Sequence, residues 1–154
     1  MTRARDLADV LKQPTTTTLG TSNYRAGVNA GNSITSGGNY NTVLGDEAGT
    51  AITTGDNNVA VGYSAGAAIT TGNRNTLIGN AAGDALTVGI QNVAIGREAL
   101  GADTKGSNTV AIGNGTLRAQ NFTSATDTYN TAVGDQAGTA VTTGTNNTLI
   151  GGLA

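Results

Sequence analysis

The sequence predicts an all-β fold, a repetitive parallel β-solenoid (β-roll) built from 17-residue rungs. Three observations predict it. A short phrase that ends in glycine recurs along the chain, its aliphatic residues alternate instead of recurring every 3.6 residues, and 24 of the 154 residues are glycine. Glycine in a helix costs roughly 1 kcal/mol relative to alanine, and each repeat carries several, so stacked helical repeats are excluded.

The recurring phrase sets the period of the solenoid. It reads NTVLG at 41–45 and NVAVG at 58–62, and it returns with small changes up to the end of the chain. The closing glycines of the phrase are Gly27, Gly45, Gly62, Gly79, Gly96, Gly113, Gly134 and Gly151. Their spacing is 17 residues, except for one spacing of 18 and one of 21. We therefore expect about eight stacked rungs over residues 23–154, with the extra residues bulging out at Gly38 and at 119–129.

Each position of the phrase predicts a place in the rung. The aliphatic residue before the closing glycine forms a column that we expect to be the core, namely Leu44, Val61, Ile78, Ile95, Ile112, Val133 and Ile150. A second phrase, AITTG at 51–55 and its copies, predicts a second short β-like piece on each rung. An alanine and a glycine, three and four residues after the closing glycine in most repeats, predict a tight turn.

Asparagine recurs at the start of the phrase and predicts a corner of the rung. The column contains Asn41, Asn58, Asn75, Asn92, Asn130 and Asn147. Asparagine tolerates left-handed backbone, and its amide can bond to the equivalent asparagine one rung away. The alternative is a turn-forming asparagine without such a ladder bond.

The phrase that ends in glycine predicts the first strand of each rung, and the middle residue of that strand is also apolar in most copies. We expect these residues to form an interface between chains, with Val43, Ala60, Leu77, Ala94, Ala132 and Leu149 as the candidates. One chain cannot hide both faces of the same strand. The outer face would therefore pack against copies of the same chain around a symmetry axis, which gives a homo-oligomeric rod.

The pattern N-[TV]-[AL]-[IV]-G-x-x-A, as in NVAIGREA at 92–99, resembles the head repeats of trimeric autotransporter adhesins. The longer unit at 57–79 is more similar to repeats of bacteriophage tail-fibre and related virion fibre proteins. The resemblance covers about residues 23–154 and implies a homotrimeric, left-handed parallel β-roll. The adhesin head repeat is shorter than 17 residues. An autotransporter also needs a secretion signal, a stalk and a membrane anchor, and the sequence indicates none of them. The phage interpretation is therefore favoured.

The residues before the repeats predict an attachment segment. We expect residues 1–14 to form a short helical or extended segment that ends at Pro14, and residues 15–22 to form a Thr-rich linker. The candidates for attachment to other virion proteins are Arg3, Arg5, Leu7, Val10 and Leu11. A helix this short is marginal in water, so we expect docking to order it; a frayed tail is the alternative.

Composition excludes several classes of function. The chain has no histidine and no cysteine, and charged residues make up 12% with a net charge of −2. We therefore expect no enzymatic activity, no cofactor, no metal and no nucleic-acid partner. No apolar run is long enough for membrane insertion. A hexapeptide-repeat acyltransferase is excluded because the aliphatic residues do not recur every sixth position.

The function we expect is that of a structural fibre protein of a bacteriophage virion, attached by its N-terminus and assembled in the host cytoplasm. It could contact a receptor or glycan on the host surface through the longest insertion, where Phe122 and Tyr129 are the contact candidates. One alternative is the head fragment of a bacterial trimeric adhesin at the cell surface.

The other alternative is an ice-binding solenoid, because threonine forms a regular column. Its members are Thr35, Thr53, Thr70, Thr87, Thr104 and Thr142. The neighbouring column is interrupted by Val88 and Lys105, which spoils a regular double array of hydroxyl groups.

Overall fold

A computed structural model describes residues 20–154 of the chain. Within that range the fold is all-β, without a helix. Eight three-residue strands form the main sheet: β1 (Tyr24–Ala26), β2 (Thr42–Leu44), β3 (Val59–Val61), β4 (Thr76–Ile78), β5 (Val93–Ile95), β7 (Val110–Ile112), β9 (Thr131–Val133) and β10 (Thr148–Ile150). Two shorter strands, β6 (Gly106–Ser107) and β8 (Thr126–Asp127), pair in a second small sheet.

The strands of the main sheet stack in chain order, and every neighbouring pair is parallel. Each residue lies beside its counterpart one rung later, as Leu77 does beside Ala94. The closing glycine ties successive rungs together, since the backbone N–H of Gly79 donates to the carbonyl oxygen of Val61 at 2.8 Å. The predicted parallel β-solenoid with rungs of about 17 residues is confirmed, and it makes about seven turns.

The middle residue of each strand lines the interior, which reverses the inside and outside that the sequence predicted. The interior strand residues are Val43, Ala60, Leu77, Ala94, Ala111 and Ala132, all fully buried within one chain. The expected core column faces outward instead, with Leu44 43% exposed and Ile78 37% exposed. Isoleucine and leucine from the opposite wall, such as Ile52 and Ile69, already fill much of the narrow interior, so the strand residues that face inward are mostly alanine.

This reversal corrects the predicted interface between chains. Five of its candidates, Val43, Ala60, Leu77, Ala94 and Ala132, are covered completely by their own chain and offer no surface to a partner. The sixth, Leu149, is partly buried and packs against the same core.

The opposite wall of the coil comes from the second phrase, and the prediction of a strand there was wrong. Residues 51–55 form turns and bends. Their aliphatic residue nevertheless points inward, and Ile34, Ile52, Ile69 and Leu86 are buried against the strand residues. Isolated backbone bonds such as Thr53 N–H to the Thr70 carbonyl (3.0 Å) join neighbouring rungs here.

Two kinds of glycine shape the corners. The closing glycines have φ between 123° and 137°, and a Cβ on Gly79 would lie 2.5 Å from the carbonyl oxygen of Gly96. The predicted tight turn is confirmed at Gly49, where φ is 55°. At the asparagine corner the left-handed residue is the one before the asparagine, such as Arg74 (φ 59°), and not Asn75 itself as predicted.

Candidate functional site

A ladder of buried asparagine side chains runs along the solenoid, and the predicted ladder bond is confirmed. The side-chain amide of Asn75 donates to the side-chain oxygen of Asn58 at 3.1 Å and to the carbonyl oxygen of Gly89 at 2.9 Å. The backbone N–H of Asn75 donates to the same Asn58 oxygen at 3.0 Å. Each ladder step therefore satisfies a buried polar group of two successive rungs, which holds the rungs at fixed spacing.

The outer sheet face is a regular surface that follows the main sheet along the rod. It consists of the first and third residues of the main strands from β2 onward: Thr42, Leu44, Val59, Val61, Thr76, Ile78, Val93, Ile95, Val110, Ile112, Thr131, Val133, Thr148 and Ile150. All of them are exposed or half-buried, and none carries a charge. Because the strands are parallel and in register, the face is an uninterrupted apolar and threonine-lined strip.

The longest insertion leaves the rung order intact, as predicted, because β7 pairs directly with β9 across it. Its loop at 123–125 is exposed, and β8 returns the chain to the body by pairing with β6. The side-chain amide of Asn108 also donates to a carboxylate oxygen of Asp127 at 2.8 Å. The loop therefore projects from a fixed base.

The two receptor-contact candidates lie in different environments. Phe122 is only 7% exposed, and its backbone N–H donates to the Asp103 carboxylate at 3.1 Å, so its ring belongs to the base of the loop. This corrects its assignment as a contact residue. Tyr129 is 57% exposed, in left-handed backbone with φ 50°, and it stays a candidate.

A buried polar cluster lies beneath the insertion, and sequence analysis missed it. Asp103 and Gln120 occupy inward positions that are aliphatic in other rungs, and both are fully buried. The side-chain amide of Gln120 donates to the Asp103 carboxylate at 2.7 Å. The signal in the sequence was ADTKG at 102–106, where aspartate replaces the isoleucine of AITTG.

From Thr35 to Thr104 the threonine column does not present free hydroxyl protons. The hydroxyl groups of Thr53, Thr70 and Thr87 donate to the backbone carbonyl one rung later, at 2.8 to 3.3 Å. The column therefore reinforces the stacking of the rungs, and its donors are engaged within the chain.

Three acidic groups have shifted pKa values. Burial raises the pKa of Asp84, a direction to which the nearby Glu98 adds. The hydrogen bond from Arg118 lowers the pKa of Glu98. The amide of Asn114 lowers the pKa of Asp135. Asp84 and Glu98 are half-buried near each other, and Asp135 is exposed.

Metal binding, membrane spanning and attachment are three further possibilities for this chain. Over residues 20–154, no three Asp or Glu side chains are grouped so that they could hold a metal ion. No helix in that range is long and apolar enough to cross a membrane. The attachment candidates Arg3, Arg5, Leu7, Val10 and Leu11, with the rest of segment 1–14, lie outside the described residues.

No protein-family model, no curated protein and no solved structure matches this chain.

Proposed function

We propose that this protein is a structural fibre protein of a bacteriophage virion, a rigid rod that assembles as a homotrimer and is attached through its N-terminus. The outer sheet face carries this proposal. It runs the length of the rod without a charged side chain, and its third-position column is aliphatic in every rung from Leu44 to Ile150. Apolar surface arranged in this way is typical of a site of association.

A second copy of the chain is the partner that suits the outer sheet face. The face repeats with the same step as the rungs, so identical chains that run side by side match rung for rung. Full burial of a Val or Ile side chain stabilises by about 1.5–3 kcal/mol. A residue that is already half-covered in the single chain would gain roughly 1 kcal/mol of this when the chains associate. Seven such residues per chain then offset a substantial part of the entropic cost of association, about 4–15 kcal/mol.

The interior of the rod supports a structural role. The ladder asparagines and the threonine hydroxyls bond rung to rung, and no buried side-chain polar atom of the described residues lacks a partner. Such a rod is stiff because every rung is fixed by both neighbours. Together with the resemblance to phage fibre repeats, this favours a fibre over an enzyme.

The interface is tested by two substitutions in one rung. We expect Ile78→Asp, on the outer sheet face, to give a monomer that keeps its β-sheet circular dichroism, because the charge would be buried only in the trimer. The matched control is Thr71→Asp, at an exposed position away from this face, which should leave a trimer by light scattering. A monomeric unmodified chain, or a trimeric Ile78→Asp variant, would overturn the interface.

Attachment is tested by deleting residues 1–14. We expect the truncated chain to remain a folded trimer, because the rungs bury their core without that segment, and to be missing from purified particles. Normal incorporation of the truncated protein would show that the anchor lies elsewhere. Incorporation also separates the phage function from the adhesin alternative, since both predict a trimer.

A further inference from the structure

We propose that Asp103 and Gln120 form a polar joint that allows the solenoid to accept its four-residue insertion, so that the loop at 123–125 can change in length and sequence while the rungs stay unchanged. The joint explains how this chain carries a protruding loop, which goes beyond the fibre function. It does not depend on the trimer or on attachment to a particle.

The insertion falls where the asparagine ladder is interrupted. The ladder reaches Asn92, the next rung has Thr109 in the asparagine position, and the ladder resumes at Asn130. The backbone N–H of Thr109 still donates to the side-chain oxygen of Asn92 at 3.0 Å. Threonine, however, has no amide to continue the ladder, and the spacing of 21 residues moves Asn130 beyond the regular repeat.

Gln120 closes this gap from the opposite wall of the coil. Its side-chain oxygen accepts a bond from the amide of Asn130 at 2.8 Å, which is the donor that elsewhere binds the preceding asparagine. Its own amide donates to the Thr109 hydroxyl at 3.2 Å and to Asp103 at 2.7 Å. The two parts of the ladder are thus rejoined through Gln120 together with Thr128, whose hydroxyl bonds the Thr109 hydroxyl at 2.6 Å and accepts from the backbone N–H of Asn130 at 3.3 Å.

Asp103 fixes the base of the loop. One oxygen of its carboxylate accepts backbone N–H bonds from Gly106 at 3.0 Å and Phe122 at 3.1 Å, on either side of the joint. The other oxygen accepts from Gln120. A buried carboxylate is costly unless it is hydrogen-bonded, and these donors compensate for the water it has lost.

The apolar packing changes in the same two rungs. Leu100 and Leu117 occupy the tight-turn position that is glycine in the other described rungs, and both are fully buried in left-handed backbone with φ 56° and 50°. Both side chains belong to the buried apolar core. These replacements occur in the rungs that flank the insertion and in no other rung of residues 20–154, which ties them to it.

Loop extension tests the joint directly. Four Gly/Ser residues are inserted between Ser124 and Ala125 in one variant, and the same four between Thr71 and Gly72, the equivalent corner of a rung without the joint, in the other. We expect the first insertion to shift Tm by less than about 2 °C. We expect the second to lower Tm by at least about 4 °C, a large shift for a domain of this size. Equal effects at the two places would overturn the proposal.

A substitution tests the role of Gln120 without changing the loop. In Gln120→Leu, the amide of Asn130 and the Asp103 carboxylate lose a shared partner. We expect hydrogen exchange over residues 128–134 to accelerate at least tenfold, while exchange over residues 58–62 stays unchanged. Unaltered exchange at 128–134 would contradict the joint. If Gln120→Leu does not fold, the two loop extensions still decide, because they leave the cluster intact.

Discussion

The side-chain amide of Asn75 donates to the side-chain oxygen of Asn58 at 3.1 Å, and both side chains are fully buried one rung apart. This bond joins residues that are 17 positions apart in sequence. It places a polar column in the interior of the rod, beside a core that is mostly aliphatic. Such a column fixes the alignment of successive rungs more strictly than apolar packing does, because a displaced amide would be left unsatisfied.

We expect Asn75→Ala to destabilise the rod by several kcal/mol. The substitution removes the amide that donates to the Gly89 carbonyl and the side-chain oxygen that accepts from the backbone N–H of Asn92, and each buried group left without a partner costs about 1–3 kcal/mol. Urea denaturation at fixed protein concentration measures the loss. Asn80→Ala is the control, since Asn80 is exposed and should change the free energy of unfolding by no more than about 0.5 kcal/mol. Equal effects would show that the ladder bonds contribute little.

Substitution of two closing glycines distinguishes the effect of backbone strain from that of a steric clash with the next rung. Gly79→Ala should destabilise more than Gly151→Ala, because both have φ above 120° but only the Cβ at position 79 meets the next rung, at 2.5 Å. A Cβ on Gly151 has nothing within 4 Å, so that variant incurs only the strain, about 1–3 kcal/mol. Thermal unfolding of both variants checks this order. Equal effects would mean that backbone strain, and not contact with the next rung, accounts for the glycine.

Leu100→Gly should destabilise the protein although it relieves an unfavourable backbone conformation. The left-handed backbone costs a leucine roughly 1–2 kcal/mol. Removal of a buried leucine side chain costs about 2–5 kcal/mol through lost burial and the cavity left behind. The cavity is the larger effect, so the unfolding midpoint in urea should fall. A variant as stable as the natural chain would show that the neighbouring rungs collapse into the space.

Asp84→Asn should stabilise the protein at neutral pH. Burial raises the pKa of Asp84, so the folded chain binds this proton more tightly than the unfolded chain, whose pKa is about 3.9. The stability that this group contributes is therefore present at low pH and is lost as the pH rises through the raised pKa. The gain in the variant's Tm at pH 7 should shrink as the pH falls toward about 4.

Asp135→Asn provides the control of opposite sign. The amide of Asn114 lowers the pKa of Asp135, so the charged form stabilises the folded state above the ordinary aspartate pKa, and this contribution is lost as the pH falls. The variant should be less stable than the natural chain at pH 7, and the difference should vanish in acid. Two variants that shift Tm in the same direction at pH 7 would contradict these assignments.

The ice-binding alternative predicts thermal hysteresis, and we expect none. The hydroxyl protons of Thr53, Thr70 and Thr87 are donated to backbone carbonyls and are not available to order water at the surface. A freezing-point difference in a nanolitre osmometer at millimolar protein would contradict the fibre function and favour ice binding.

The period and the parallel stacking could be predicted from the sequence alone, and the asparagine ladder was one of two alternatives that it offered. These follow from local chemistry that repeats every 17 residues: Gly79 and its equivalents require backbone that only glycine adopts without strain, and Asn75 recurs where a side chain can bond to its own copy. The bulge of the insertion was predictable for the same reason, because extra residues between two copies of a phrase have no place in the rung.

The sequence does not show which face of the strand lies inside or how the insertion is accommodated; both depend on the folded coil. Leu77 and Ile78 are both apolar, and alternation shows that they face opposite ways without showing which one faces the interior. That choice depends on the volume enclosed by the whole coil, which the opposite wall sets through residues such as Ile69. The contact of Gln120 with Asn130 likewise crosses the coil, so no repeat pattern along the chain encodes it.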